Sequence, residues 1–372
     1  MKMKKTRPLR LLFLLALLPL LAGCWGNHPL NERAIVLGLG ISPGPRGEET
    51  YTFVFPTAVA PATPSGGTST NLSQSLYVTS TTAATLGQAV AAVQPSLSRF
   101  LYLGQLTLIV LSDRLAPTQT RNVLTDLNNM NDLDQTSLLA TAPSVRPVVG
   151  FSHVLEVPPV YYPARMLTCY SCQPADLQMP FWKFFARLHT PGATAWLPFL
   201  RVTHNRLSIG GVALYRHYRF AGVLSGPALD GFVYGNGLEE RGSIAVPLGG
   251  RLVSLSNIAA SCRKHFLAVA GGVPAFTLDI TATGMADSLS PFAPALSRLA
   301  GAAVRRKVEA TLVAARRMGV DPFSLGADLA WADPPLFTRL GDWEKVFPRA
   351  RIRVRVDLNY YSPPGLRLSS KL

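Results

Sequence analysis

Arg349-Ala350-Arg351-Ile352-Arg353-Val354-Arg355-Val356-Asp357-Leu358 alternates polar with apolar residues along its whole length. A period of two belongs to a β-strand, whose successive side chains point to opposite faces. The stretch predicts a strand with Arg349, Arg351, Arg353 and Arg355 on a wet face, and Ala350, Ile352, Val354 and Val356 on a core. An upstream segment is suited to cover such a core. From Pro294 to Met318, Leu296, Leu299, Ala303, Val308, Leu312 and Ala315 recur at helical spacing. Arg305, Arg306, Lys307, Arg316 and Arg317 fall mostly off that face. Gly319 is a natural stop for this helix. Asp321 reads as the cap of a further helix with Pro322 at its first position.

Working outward, Arg241–Val246, Arg251–Ala259 and Phe276–Thr283 read as strands. So do Ile209–Arg216 and Tyr218–Leu224, with a short helix from Ser225 to Tyr234. Pro158 to Pro198 is rich in proline and reads as a connection, with a short helix around Phe181-Trp182-Lys183-Phe184-Phe185. Before it, Ala34–Ile41 is a buried strand, and Tyr51–Ala60 is its hairpin partner across a Pro/Gly turn. Pro61–Asn71 is an exposed loop and Leu76–Ser80 a short strand. Thr82 is placed as the cap of a helix running to Val93. Leu101–Leu111 is β-rich, Thr118–Met130 a helix and Leu138–Ala142 a strand. These elements predict an α+β chain of two to three mixed α/β domains, with mixed β-sheets and packed helices. The expected division is a leader at 1–23, an N-terminal α/β domain at 24–157, a connecting region at 158–206 and a C-terminal α/β domain at 207–372.

The leader decides where the body works. Lys2, Lys4, Lys5, Arg7 and Arg10 precede an apolar run from Leu11 to Leu21, and small residues follow it. That is the three-part form of a secretory signal. The run is shorter than the roughly 20 apolar residues a membrane-spanning helix needs. Its end, Leu21-Ala22-Gly23-Cys24, resembles the lipobox of bacterial lipoproteins. In that class the Cys sulfur takes a diacylglycerol and becomes the first mature residue, so the resemblance implies lipidation, palmitate included, at Cys24. A thiolate is the nucleophile such a transfer requires. Two acyl chains give stable anchoring where one gives only marginal binding. The remainder is expected to be a body tethered to the outer face of a membrane.

Composition agrees with a folded, exported body. The 372 residues are 48% hydrophobic and 15% charged, which suits a globular protein. The formal net charge is +15, and the leader carries five of those positive charges with no acid. A basic body on a lipid anchor is drawn to anionic headgroups or to an acidic partner. An exported location argues against nucleic acid. Cys169 and Cys172 form a C-x-x-C in a Pro-rich stretch, and Cys262 stands alone; all three read as structural or incidental thiols.

No catalytic constellation emerges. The chain lacks H-E-x-x-H, G-x-S-x-G, a P-loop and a dinucleotide fingerprint, so no cofactor or metal is expected. Gly38-Leu39-Gly40 lacks the third glycine and the helix that would bind phosphate. His28, His153, His189, His204, His217 and His265 show no ligand spacing. Trp331 and Trp343 flank a helical segment and read as core residues. The candidate contact residues are therefore surface cations: Arg351, Arg353 and Arg355 on the last strand, and Arg305, Arg306, Arg316 and Arg317 on the long helix. They would meet anionic lipid or acidic loops of a partner.

Several stretches together carry a family resemblance. Cys24-Trp25, Leu30-Asn31-Glu32 and Ala34 to Ile41 resemble the opening of the Ger(x)C lipoproteins, the C subunits of spore germinant receptors. Gly210-Gly211-Val212-Ala213-Leu214-Tyr215 looks like the family's G-x-A-v-F strand. Met318 to Gly326 looks like its helix end and D-i-f-x-f-G turn, and Trp343 with the basic strand looks like its close. Asn27 stands where an Asp is usual, and Ser42-Pro43 replaces the usual Ile-Asp. The resemblance implies a non-enzymatic subunit on the outer face of the inner spore membrane. It would act with an A subunit and a transporter-like B subunit in nutrient-triggered germination. Two other classes compete. A solute-binding lipoprotein requires two similar lobes, and no internal repeat is visible. A cell-envelope enzyme requires convergent acids or a nucleophile.

Overall fold

A strand of alternating glycine and apolar residues, Gly38 to Ile41, lies in the interior of the first sheet. The computed structural model describes residues 29–57, 76–153, 161–169, 172–173, 175–239, 241–270, 272–286 and 293–361. The leader, Cys24 and the loop expected at 61–71 lie outside these. In chain order the strands are β1 Arg33–Ile35, β2 Gly38–Pro43, β3 Glu49–Pro56, β4 Leu76–Ala83, β5 Phe100–Tyr102, β6 Leu108–Ser112 and β7 Leu138–Ala142. They continue as β8 Ala195–Thr203, β9 Arg206–Arg216, β10 Arg219–Leu224, β11 Gly242–Leu248, β12 Arg251–Ala270, β13 Val273–Ala286 and β14 Arg351–Tyr361. They form an eight-stranded sheet in the order β10-β9-β8-β7-β6-β2-β3-β4, a four-stranded sheet β11-β12-β13-β14 and a small pair β1-β5. Both larger sheets are mixed, and helices pack on them, so the chain is α+β.

The eight-stranded sheet is covered on both faces. Leu39, Ile41, Tyr51 and Phe53 face a core completed by helices Leu86–Val93, Pro117–Asn129 and Phe181–His189. Leu37, Val54, Leu108 and Val110 face the other core, under helix Val145–Val149. Gly40 is explained by that second layer. A Cβ there would collide with the Val145 side chain, so glycine lets the helix lie close on the sheet.

The expected strand Ala34–Ile41 is two strands. β1 pairs with β5, and after Val36-Leu37 the chain enters the large sheet as β2, beside β3 and β6. The β-rich Leu101–Leu111 divides likewise into β5 and β6, with a turn at Gly104 between them. Thr82 belongs to β4; Thr85 caps the following helix by accepting the N–H of Gln88 at 3.2 Å. The large sheet also runs on past residue 206. β8 and β9 are an antiparallel pair within it, so the division expected at 206/207 falls inside one sheet, after the first residue of β9.

The four-stranded sheet is built around the alternating strand. β14 lies parallel to β13 at the sheet edge, and the crossover between them includes the long helix Ala293–Met318. Leu296, Ala300, Val304, Val308, Leu312 and Ala315 of that helix are buried against Phe276, Leu278, Ile280 and Leu358. Gly319 ends the helix at φ 67°, and the N–H of Val320 returns to the Ala315 carbonyl at 3.1 Å. Helix Pro227–Asn236 joins the two bodies. Its Phe232 and Val233 belong to the first core and Tyr234 to the second, and the Thr311 hydroxyl donates to the Ala228 carbonyl at 2.7 Å.

Candidate functional site

The arginine strand has the two faces its period demands. Arg351, Arg353 and Arg355 are exposed, while Ile352, Val354 and Val356 are half-buried against the core under the helix. Neighbouring strands extend the wet face. Asp279 on β13 stands opposite Arg355 on one side and Arg263 of β12 on the other. The Arg355 guanidinium lies 4.0 Å from the Asp279 carboxylate, and His265 Nε2 lies 3.5 Å from it. Arg263, Arg351, Arg353 and Arg355 thus share one face with the acids Asp279 and Asp357. Arg263 escaped the sequence reading because β12 was expected to end at Ala259. Exposed Ser261, Arg263, His265 and Leu267 keep the period of two that extends it.

The helix cations do not join that face. The long helix packs on the opposite side of the sheet, and its Arg305, Arg306 and Arg317 are exposed there. Lys307 pairs with Asp230 at 2.8 Å. Arg316 is partly buried, and its Nη2 donates to the Ala350 carbonyl at 3.0 Å. It ties the helix end to the entry of β14.

A third feature lies at the joint of the two bodies. Asp321 does not cap a helix that starts at Pro322; the next helix is Leu325–Ala332. Asp321 is buried instead, and its carboxylate accepts three hydrogen bonds. These come from the Phe323 N–H at 3.1 Å, the Gly326 N–H at 3.0 Å and Trp343 Nε1 at 3.0 Å. Burial pushes its pKa up, against the pull of those donors. Ser324, at φ 54°, turns its hydroxyl toward the first body. That oxygen accepts the Thr194 N–H at 3.1 Å and Arg187 Nη2 at 3.0 Å. Trp343 is core, whereas Trp331 is 90% exposed, contrary to the expectation for it. Helix Leu325–Ala332 is short and buries only Leu325, Gly326 and Leu329, so its far end meets solvent.

Two clefts flank this joint. One of about 340 Å³ is lined by His189, Tyr215, His217, Asp342, Trp343 and Glu344. Glu344 is already engaged there by Arg216 and sits 3.6 Å from His217. The other, of about 390 Å³, holds Lys183, Arg187, Lys264 and Asp328. Lys264 donates to the Phe323 carbonyl. The polar side chains of the joint are thus largely spent on one another. Among the described residues no group of three His, Cys, Asp or Glu has the geometry of a metal site. Cys169 and Cys172 form a disulfide, and Cys262 is a half-buried thiol whose pKa burial raises to about 11. No helix among the described residues is long and apolar enough to cross a membrane.

Residues 26–202 match a family model described as the spore germination protein N-terminal domain. Residues 210–361 match a second, described as spore germination B3/GerAC like, C-terminal. The architecture is that of a solved structure titled "Crystal Structure of the GerBC protein". It superposes with a TM-score of 0.56 at 13% identity, over 87% of this chain and 96% of that one. No curated protein sequence matches. The class defined here is a two-part α+β spore germination protein. More particularly, the chain belongs to the Ger(x)C family, the C subunits of spore germinant receptors.

Proposed function

We propose that this protein is the lipid-anchored C subunit of a receptor for small nutrients, held by Cys24 on the outer face of the inner spore membrane. It works there with the membrane-embedded A and B subunits of the receptor and is required for nutrient-triggered germination. It performs no chemistry of its own; its contribution is made through surfaces. The observation that carries this reading is where the family matches begin. They start at Gly26, two residues after Cys24, and run to Tyr361. The family body therefore follows directly on the residue that a lipobox would leave at the mature N-terminus. The basic strand face and the exposed helix arginines are the natural contacts for acidic loops of the membrane subunits.

The test is Cys24→Ala in spores that carry no other copy. Mass spectrometry of the mature N-terminus should find two acyl chains on wild-type Cys24 and none in the variant. The variant should also lose its place in the spore membrane and its nutrient response. An unmodified Cys24 in a responsive spore would end the anchor reading. A normal nutrient response after deletion of the whole chain would end the receptor reading.

A further inference from the structure

One end of the eight-stranded sheet carries a fringe of exposed apolar and basic side chains. β1 runs into β2 and β5 runs toward β6, and both pairs are parallel, so β1 and β5 extend the same end of the sheet. β3 is antiparallel to β2, and its last residues reach that end too, with the start of β4 paired to them. Leu30, just before β1, is 70% exposed. Phe100, opposite Arg33 in the β1-β5 pair, is 46% exposed, and Tyr77, opposite Phe55, is 42% exposed. Arg33 lies over the Tyr102 ring at 4.3 Å, and Arg99 is exposed beside Phe100; the acid among them is Glu32. Aromatic rings and arginines with apolar stems are the side chains that settle at a membrane–water interface.

The chain itself says what this fringe faces. Leu30 is six residues beyond Cys24. Even fully extended, that link spans no more than about 22 Å. If Cys24 holds two acyl chains, this end of the sheet is confined next to the lipid. We infer that Leu30, Tyr77 and Phe100, with Arg33 and Arg99, seat the body directly on the anionic lipid surface that holds the anchor. The inference rests on the anchor reading above and adds an orientation to it. The eight-stranded sheet stands with its β1-β5 end in the headgroups, and the β14 arginine face is left for protein partners.

The test uses the full, processed chain in vesicles of phosphatidylglycerol and phosphatidylethanolamine. A nitroxide is placed at Tyr77→Cys or Phe100→Cys in a Cys262→Ser background. Leu252→Cys, at a site 72% exposed on β12, serves as control. Collisions with oxygen, which concentrates in lipid, are compared with collisions with a water-soluble nickel chelate. The labels at 77 and 100 should favour oxygen, and the label at 252 should favour nickel. Labels at 77 and 100 as open to nickel as that at 252 would overturn the inference. Shielding from both reagents would overturn it as well, since protein would then cover the fringe. Mass spectrometry of the same samples separates the two readings. Unacylated Cys24 with the labels in lipid ends the anchor and keeps the surface, whereas acylated Cys24 with the labels in water does the reverse. Unacylated Cys24 with the labels in water ends both.

Discussion

The indole Nε1 of Trp343 donates to Oδ2 of Asp321 at 3.0 Å, and both side chains are buried. This bond ties the residues just after the long helix to the short helix Trp343–Val346 that precedes the last strand. The same carboxylate oxygen accepts the Gly326 N–H, and a Cβ on Gly326 would stand 2.5 Å from the indole nitrogen. Gly326→Ala should therefore push the indole off Asp321 and cost about 1–3 kcal/mol. Trp343→Phe removes the donor but keeps an aromatic ring against Phe276, and should cost a similar ~1–3 kcal/mol. Because both changes strike one hydrogen bond, the double variant should fall short of the sum. Denaturant unfolding of the three variants checks this, and strict additivity would show that the two residues are not coupled.

Glu239 gives the fold a pH dependence with a definite sign. Burial, and then the charge of Asp230, raise its pKa from 4.5 to about 7, with Lys307 opposing. Between those values the folded state binds the proton more tightly than the unfolded chain does. Its contribution to stability is thus greatest at or below about pH 4.5 and is lost as pH rises through about 7, on the order of 3 kcal/mol in all. Glu239→Gln should be more stable than wild type at pH 8, and the advantage should vanish near pH 5. Thermal unfolding at the two values checks this. An unchanged difference between them would mean that Glu239 does not titrate in this range.

The arginines divide into surface and structure. Reversing Arg351 and Arg353 to Glu alters only the exposed face, and should change stability by no more than about 0.5 kcal/mol. Recovery of the receptor subunits with the double variant should nevertheless fall at low salt, and its deficit against wild type should narrow as salt screens both charge patterns. Leu358→Asp, on the inner face of the same strand, buries an unpaired charge and should cost about 3–5 kcal/mol. Arg316→Ala should cost about 1–2 kcal/mol through its lost bond to Ala350, while Arg317→Ala should be nearly silent. Unchanged recovery and salt dependence in the reversed strand would direct attention to Arg305, Arg306 and Arg317.

The Cys169–Cys172 disulfide closes a loop with only two residues between its ends. A loop this short removes little entropy from the unfolded chain, so changing both cysteines to serine should cost at most about 2 kcal/mol. Spores carrying the double variant should respond normally to nutrients. A lost response at a normal protein level would assign the pair a redox role.

Much of this protein was legible from local pattern. The period of two in Arg351–Val356, the helical stripe from Leu296 to Ala315 and the stop at Gly319 each involve neighbours within a turn or two. Their physics is complete within the segment, and both elements formed. The strand, though, begins at Arg351 because Phe347–Arg349 is a 3-10 turn, and Ala300 and Val304 rather than Leu299 and Ala303 take the buried helix positions. The resemblance of Leu21-Ala22-Gly23-Cys24 to a lipobox is likewise local, read from four consecutive residues. Tertiary structure decided what depends on distant partners. An Asp-Pro pair satisfies every local rule for starting a helix. Asp321 is claimed instead by an indole 22 residues away, and Ser324 by a guanidinium 137 residues away. Trp331 has the composition of a core residue, but the fold leaves its side chain 90% exposed, on the far side of its short helix from Leu325 and Leu329. Arg316 belongs to the same basic stripe as Arg317, and only the approach of Ala350 makes it structural. β8 to β10 join the first sheet because long-range strand pairing buries Trp196, Leu197 and Phe199 against it. Side-chain period states which face is apolar; only packing chooses the surface that covers it.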